Sequence, residues 1–115
     1  MNVLIIHRQQ SFLEKIKEKF SSGGWHVQTT DSGLDGLLAA RHRHFDLMLC
    51  GFDLPVISGT EVARATRLLS VNTSMPIFFL KGGSESDDQI ELALRLKAKM
   101  MDESEIDAYG KMACL

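Results

Sequence analysis

Short apolar runs without polar alternation constrain the fold of this chain more than any other feature of its sequence. They occupy residues 3–6, 47–50 and 76–80. Runs of this kind are typical of strands that are buried on both faces of a parallel sheet. The second run lies in the stretch 46–59, where a loop punctuated by Pro55 and Gly59 leads into a helix start. Because ligands bind where the strands of open α/β sheets end, we expect any functional site at this loop.

Amphipathic helical patterns fill the spaces between the apolar runs. A capping-box pattern at residues 11–14 predicts the start of the first helix, and polar starts at 31–32, 58–61 and 86–89 predict the next three. A last helical pattern covers residues 103–114. The apolar positions that recur along these helices are Leu13, Ile16, Phe20, Leu34, Leu37, Leu38, Val62, Ala65, Leu69, Ile90, Ala93, Leu94, Leu96, Ile106, Tyr109 and Met112.

Two weaker patterns complete the predicted sheet. Large and polar side chains alternate over residues 25–29, which predicts a half-exposed strand at a sheet edge, and residues 98–101 predict a short fifth strand. Strands that alternate with helices imply right-handed crossovers and parallel pairing. We therefore predict a doubly wound α/β fold with a five-stranded parallel sheet, flavodoxin-like strand order 2-1-3-4-5 and helices on both faces.

The composition is that of an ordinary soluble domain. The 115 residues fit one domain, 1–115, and the chain stops soon after its last predicted helix, so it also fits the N-terminal part of a longer protein. The net charge of −2 gives no electrostatic reason to expect nucleic acid or an anionic membrane, and no apolar run could span a membrane. Cys50 and Cys114 form no disulfide or metal pattern, which indicates reduced thiols and a cytoplasmic protein.

Several segments at characteristic spacing point to one family. They are the run 3–6 with the polar quartet after it, residues 31–33, the stretch 45–59 and the run 76–80. Over nearly its whole length the chain resembles a response-regulator receiver domain. The resemblance implies a site of five polar groups. Two acids after the first strand hold Mg²⁺, and an aspartate after the third accepts a phosphoryl group. A hydroxyl after the fourth strand and a lysine after the fifth bind that group.

This chain departs from the family pattern at each of these positions. The residues that stand there, in the same order, are His7, Arg8, Gly51, Lys81 and either Met101 or Asp102. Glycine has no side chain to phosphorylate, and a guanidinium has no lone pair to give to a metal. The changes turn an anionic, metal-holding pocket into a cationic one. The resemblance therefore implies a pseudo-receiver that keeps the scaffold, lacks phosphotransfer and uses no metal or cofactor.

Asp53 is the remaining carboxylate near the missing acceptor, and its role stays open at this point. It forms an ion pair with Arg8 or Lys81, it turns or caps the loop backbone, or it is a displaced phosphoryl acceptor. The same cations, together with the turn at Gly82 and Gly83, also fit a sensor of small anions or nucleotides at the carboxyl edge of the sheet.

An enzyme that uses His7 as acid or base has the least support, because no nucleophile or metal set accompanies that residue. His42 and His44 point to different faces of a helix, so we predict no zinc site. The leading hypothesis is a non-enzymatic signalling module that contacts a protein partner independently of phosphorylation. The resemblance implies a homodimer or partner face at the fourth and fifth helices and the strand between them, in the C-terminal segment that carries Met100, Met101 and Met112. We expect no nucleic acid or membrane partner.

Overall fold

The computed structural model describes residues 1–83 and 85–112, with side chains as far as Tyr109. Its strands are β1 (Asn2–Ile6), β2 (His26–Thr30), β3 (Leu47–Cys50), β4 (Ile77–Leu80) and β5 (Lys99–Met101). Its helices are α1 (Gln10–Ser22), α2 (Gly33–His42), α3 (Gly59–Leu69), α4 (Asp87–Arg95) and α5 (Glu103–Met112). All strand pairs are parallel, and the order β2-β1-β3-β4-β5 confirms the predicted topology.

Helices cover both faces of the sheet, so the apolar runs are buried on both sides. Helices α1 and α5 pack on one face through residues such as Ile16 and Ile106. Helices α2, α3 and α4 pack on the other face through Ala40, Val62 and Ala93. Every residue of β3 and β4 is buried, as expected for strands without polar alternation. The edge strand β2 is only partly buried, which agrees with its alternating sequence.

The prediction that Ser11 caps the start of α1 is wrong. The helix begins at Gln10, and Gln9 precedes it without a side-chain cap. The carbonyl of Gln9 already accepts from the N–H of Leu13 at 3.1 Å, so the first turn forms before the predicted capping serine at position 11. Serine side chains cap the next three helices, and α4 has a complete capping box formed by Ser86 and Gln89.

The apolar stripe predicted for α2 does not face the core. Leu34 and Leu38 are each 45% exposed, whereas small residues of the helix are buried. A Cβ added to Gly36 would lie 2.3 Å from Cδ1 of Ile6, so the helix packs too closely on the sheet for larger side chains. The prediction for Leu69 of α3 is wrong for a related reason, since Val62, Ala63 and Thr66 form the buried face instead.

The ends of the predicted strands shift slightly. β2 starts one residue after Trp25, whose buried ring packs against Phe20 at 5.3 Å and Tyr109 at 6.3 Å. β5 starts at Lys99, one residue later than predicted. The predicted end of the last helix includes Cys114, which lies outside the described residues.

Candidate functional site

A cleft of about 490 Å³ opens at the carboxyl edge of the sheet, where the ends of β1, β3 and β4 meet. Parallel strands place the residues that follow them at one edge, which is why sequence positions far apart converge here. The residues that line the cleft are His7, Arg8, Gln9, Gly51, Phe52, Asp53, Leu80, Gly82, Glu85 and Gln89. Lys81 and Gly83 belong to the adjoining turn.

His7 and Gly51 lie side by side in the wall of the cleft. The N–H of Gly51 donates to the carbonyl of Ile6 at 2.8 Å, which fixes the end of β3 against β1. The His7 ring lies 4.4 Å from Phe12, and its Nδ1 accepts from the N–H of Gln9 at 3.1 Å. A Cβ on Gly51 would lie 3.1 Å from Cδ2 of His7, so the imidazole takes up space beside the acceptor position. Burial lowers the pKa of His7, which favours the neutral ring at pH 7.

Arg8 reaches across the mouth of the cleft to Asp53. Its Nη1 lies 2.5 Å from Oδ2 of the carboxylate, which is hydrogen-bond as well as ion-pair distance. The side chains are 58% and 80% exposed, so water screens this attraction. The guanidinium of Arg8 and the carboxylate of Asp53 therefore neutralise each other at the mouth of the cleft.

Glu85 fills the turn between β4 and α4. Its carboxylate accepts from the N–H of Gly82 and, at 3.1 Å, from the N–H of Gly83. These backbone donors, Gly82 first, hold the pKa of Glu85 below its usual value. Lys81 anchors the same turn to β5, because its N–H donates to the carbonyl of Met101 at 2.8 Å.

Asp102 follows β5 and has a structural role at the start of α5. Its Oδ1 accepts from the N–H of Glu105 at 2.9 Å and from the hydroxyl of Ser104 at 2.8 Å. These hydrogen bonds lower the pKa of Asp102. Of the two residues predicted to stand at the lysine position, Asp102 is thus a helix-capping carboxylate and Met101 is buried.

The loop after β3 keeps its shape through buried contacts. Phe52 stacks on Phe79 at 4.4 Å, and the N–H of Gly59 donates to the carbonyl of Phe52 at 2.8 Å. A Cβ on Gly59 would come within 1.9 Å of the carbonyl oxygen of Gly51, so this close approach requires glycine. Cys50 lies fully buried beneath the loop, and burial raises the pKa of its thiol to about 12.

The side chains of His7 and Arg8 do not fit Mg²⁺. This ion prefers carboxylate and other oxygen ligands, whereas Arg8 supplies a cation and His7 a nitrogen that already accepts from the backbone. In the described part of the chain, no group of His, Cys, Asp or Glu residues could hold a metal ion. No helix among the described residues is long and apolar enough to cross a membrane.

The cleft unites His7, Arg8, Gly51, Asp53 and Gly82 from the sequence prediction. Sequence reasoning missed Glu85 and Gln89 as cleft residues. For Glu85 a signal was present, because an acid close after a glycine pair can reach back to the free amides of the turn. Gln89 carried no such signal beyond its place in the capping box.

Comparisons with known proteins agree on one family. The model of the response regulator receiver domain matches residues 3–102. The chain is 35% identical over 91 residues to the cell cycle transcriptional regulator CtrA of Caulobacter vibrioides, covering 79% of this chain and 38% of that protein. It is 33% identical over 90 residues to the cell cycle response regulator CtrA of Brucella ovis, covering 78% of this chain and 38% of that protein. The chain thus spans 38% of the length of these curated relatives.

Solved structures support the same fold. The chemotaxis response regulator CheY4 of Vibrio cholerae has a TM-score of 0.84 at 21% identity, with 99% of this chain and 98% of that chain covered. A CheY-like receiver domain protein from Methanospirillum hungatei has a TM-score of 0.83 at 19% identity, with coverage of 97% and 94%. At these identities the likeness concerns the fold alone.

Proposed function

Because the chain belongs to the response regulator receiver domain family, we propose that it is a signalling module that acts by protein contact without being phosphorylated. It has no catalytic role in this proposal and uses no cofactor. The proposal assigns His7, Arg8, Gly51 and Lys81 to a degenerate receiver site whose scaffold persists. Its partner is a protein of a signalling pathway.

The ion pair between Arg8 and Asp53 carries the proposal. It lies directly beside Gly51, where the family has its acceptor aspartate, and it engages the carboxylate nearest to that position. Phosphoryl transfer to a carboxylate needs a cation that neutralises the incoming phosphoryl oxygens, whereas Arg8 here neutralises the carboxylate itself. Asp53 is therefore an ion-pair partner in this proposal, and not a displaced acceptor.

Glu85 gives the proposal independent support at the turn after β4. In receivers this region changes when it binds the new phosphoryl group. In this chain the carboxylate of Glu85 already accepts from the amides of Gly82 and Gly83. The Glu85 carboxylate, and not a phosphoryl group, thus holds the turn in one arrangement.

Incubation with a small phosphodonor tests the proposal. The protein is mixed with acetyl phosphate and Mg²⁺, and its intact mass is measured, with a receiver that keeps its acceptor aspartate as positive control. We expect no mass increase in this chain. A phosphoryl adduct that disappears in Asp53→Asn would overturn the proposal and establish a displaced acceptor.

The anion-sensor alternative uses Arg8, Lys81, Gly82 and Gly83. Two carboxylates already engage three of these residues, since Asp53 pairs with Arg8 and Glu85 accepts from the amides of Gly82 and Gly83. A small anion would have to displace both, which places this alternative second. Thermal unfolding in the presence of phosphate and nucleotides separates the two proposals, because only a sensor gains stability from them.

A further inference from the structure

Val56 combines two unusual features in the loop between β3 and α3. It is an apolar side chain with 88% of its surface exposed, and its backbone has a φ of 71°. A β-branched residue in the left-handed region is a genuine conformational outlier. The N–H of Ile57 donates to the carbonyl of Pro55 at 2.8 Å, which closes the turn around Val56. The exposed apolar side chain is surface of the kind that serves association.

Val56 lies at the end of the α2 and α3 layer where both helices begin. The start of α2 touches its loop, since a Cβ on Gly33 would lie 2.6 Å from the carbonyl oxygen of Ile57. Ser58, next in the loop, caps α3. We define the acidic end as Val56 with the exposed carboxylates of Asp31, Asp35 and Glu61.

The opposite end of the same two helices is cationic and apolar. Leu68, Leu69 and Val71 are 67%, 68% and 60% exposed at the end of α3. The exposed run 41–44 ends α2 beside them, and among the described residues none of its four side chains forms an ion pair. The guanidinium of Arg43 donates to Oε1 of Gln28 and lies 5.5 Å from the centroid of the Phe45 ring. We define the basic end as Arg41, His42, Arg43, His44, Leu68, Leu69 and Val71.

Asn72 joins the two halves of the basic end. Its side chain is almost fully buried, and its Nδ2 donates to the carbonyls of Ala40 and Arg43, each at 2.7 Å. Its Oδ1 accepts from the N–H of Phe45 at 2.8 Å. A shallow pocket of about 220 Å³, lined in part by His44, Asp46 and Val71, opens beside this junction. The basic end is therefore a pre-formed surface, which lowers the entropic cost of docking.

We propose that the basic end of one copy of this chain binds the acidic end of a second copy, with Val56 entering the apolar patch around Leu68. The partner that we propose is a second copy of this chain, because its acidic end complements the charge of the basic end. The ends face opposite ways along α2 and α3, so the contact is head-to-tail and does not close into a dimer. This inference rests on the protein-contact part of the proposed function and is independent of phosphorylation.

Sedimentation of the full chain over a series of concentrations tests the proposal. We expect the average mass to rise beyond that of a dimer, and to fall when the salt concentration is raised from about 50 mM to about 500 mM. A monomer at all concentrations, or a mass that stops at a dimer, overturns the proposal. Neither result bears on the phosphodonor experiment, so the two proposals fail separately.

Substitutions at the two ends sharpen the test. Val56→Asn should weaken association at least about tenfold and leave thermal stability unchanged or higher, because asparagine tolerates left-handed backbone. Leu68→Ser should weaken association similarly. Mixing the two variants should restore pairing up to a dimer, since each variant keeps one intact end. Failure of the mixture to pair overturns the head-to-tail arrangement.

Leu94→Ser provides the matched control. Leu94 is 61% exposed on α4, outside both ends, and lies on the surface through which receivers are expected to pair. We expect this variant to associate like the wild type. Loss of association in Leu94→Ser, with normal association in Val56→Asn, would overturn the proposal in favour of a contact through the fourth and fifth helices.

Discussion

The guanidinium of Arg8 lies 2.5 Å from the carboxylate of Asp53, and this contact spans the mouth of the cleft beside Gly51. The pair removes the net positive charge that Arg8 alone would give the cleft. Because both side chains are largely exposed, the contact organises the cleft electrostatically and adds little to the stability of the fold. The ion pair therefore sets the charge of the cleft without contributing much to the free energy of unfolding.

Breaking this pair should have a small effect on stability. We expect Arg8→Ala or Asp53→Ala to lower the free energy of unfolding by less than about 1 kcal/mol, and less still at high salt. Urea denaturation of both single variants and the double variant measures the coupling between the side chains. A coupling above about 2 kcal/mol would show that the pair is a structural element of the fold.

Glu85 should make stability depend on acidity. Its pKa is lowered in the folded protein, chiefly by the N–H of Gly82. The contribution of Glu85 is therefore present above the unfolded glutamate pKa of about 4.3 and is lost as the pH falls through the lower folded value. We expect Glu85→Gln to show a shallower loss of stability below about pH 4.3 than the wild type. Urea denaturation between neutral and acidic pH measures this.

Glu91→Gln is the matched control for this pH experiment. Glu91 lies on the surface of α4 and pairs with Arg95 at 2.7 Å, away from the glycine amides. The low-pH slope should stay steep in this variant. A slope that flattens as much as in Glu85→Gln would assign the acid sensitivity to surface charge in general.

Gly59 should tolerate no side chain. A Cβ there would lie 1.9 Å from the backbone oxygen of Gly51, and neither backbone segment can move without opening the loop. We expect Gly59→Ala to destabilise the protein by more than about 3 kcal/mol. Gly82→Ala is the matched control, because its Cβ would meet only the Glu85 carboxylate at an ordinary 3.5 Å. Equal effects of the two changes in urea denaturation would contradict this explanation.

Asn72 should stabilise the fold strongly, because it is a buried polar residue in a loop. Its buried amide hydrogen-bonds to backbone groups of Ala40, Arg43 and Phe45. Asn72→Ala leaves these groups without that partner, at a cost of about 3 kcal/mol. Ser70→Ala is a nearby comparison that removes two part-buried hydrogen bonds of the hydroxyl, one to the carbonyl of Thr66 and one from the N–H of Asn72. Its effect on urea denaturation should be smaller, because the buried side-chain amide of Asn72 stays in place. A loss below about 1 kcal/mol in Asn72→Ala would mean that water replaces the amide.

The central strands of the sheet could be predicted from the sequence, because a strand that is buried on both faces is recognisable as an unbroken apolar run. The run at 47–50 illustrates this, since all its residues are buried in β3. The face of α2 could not be predicted in the same way. Its glycines allow the helix to approach Ile6 so closely that Leu34 and Leu38 turn outward, and hydropathy spacing carries no information on such distances.

The candidate site shows a similar division. The position of Gly51 follows from the strand before it, so the sequence sufficed to place it at the carboxyl edge. The roles of side chains in the cleft depend on rotamers and on neighbours from other loops. The pairing of Asp53 with Arg8, which the sequence left open between Arg8 and Lys81, therefore emerges only from the three-dimensional arrangement.

His7 and Gly51 should depend on one another. A Cβ on Gly51 would lie 3.1 Å from the His7 ring, which Phe12 and the N–H of Gln9 hold in place. Gly51→Ala should therefore destabilise the wild type by about 1 kcal/mol. In a His7→Ala background the same change should stabilise by about 0.5 kcal/mol, because the space is free and alanine restricts the unfolded chain. Urea denaturation of both single variants and the double variant measures this reversal of sign. If Gly51→Ala has the same effect in both backgrounds, the imidazole does not determine the requirement for glycine at the former acceptor position.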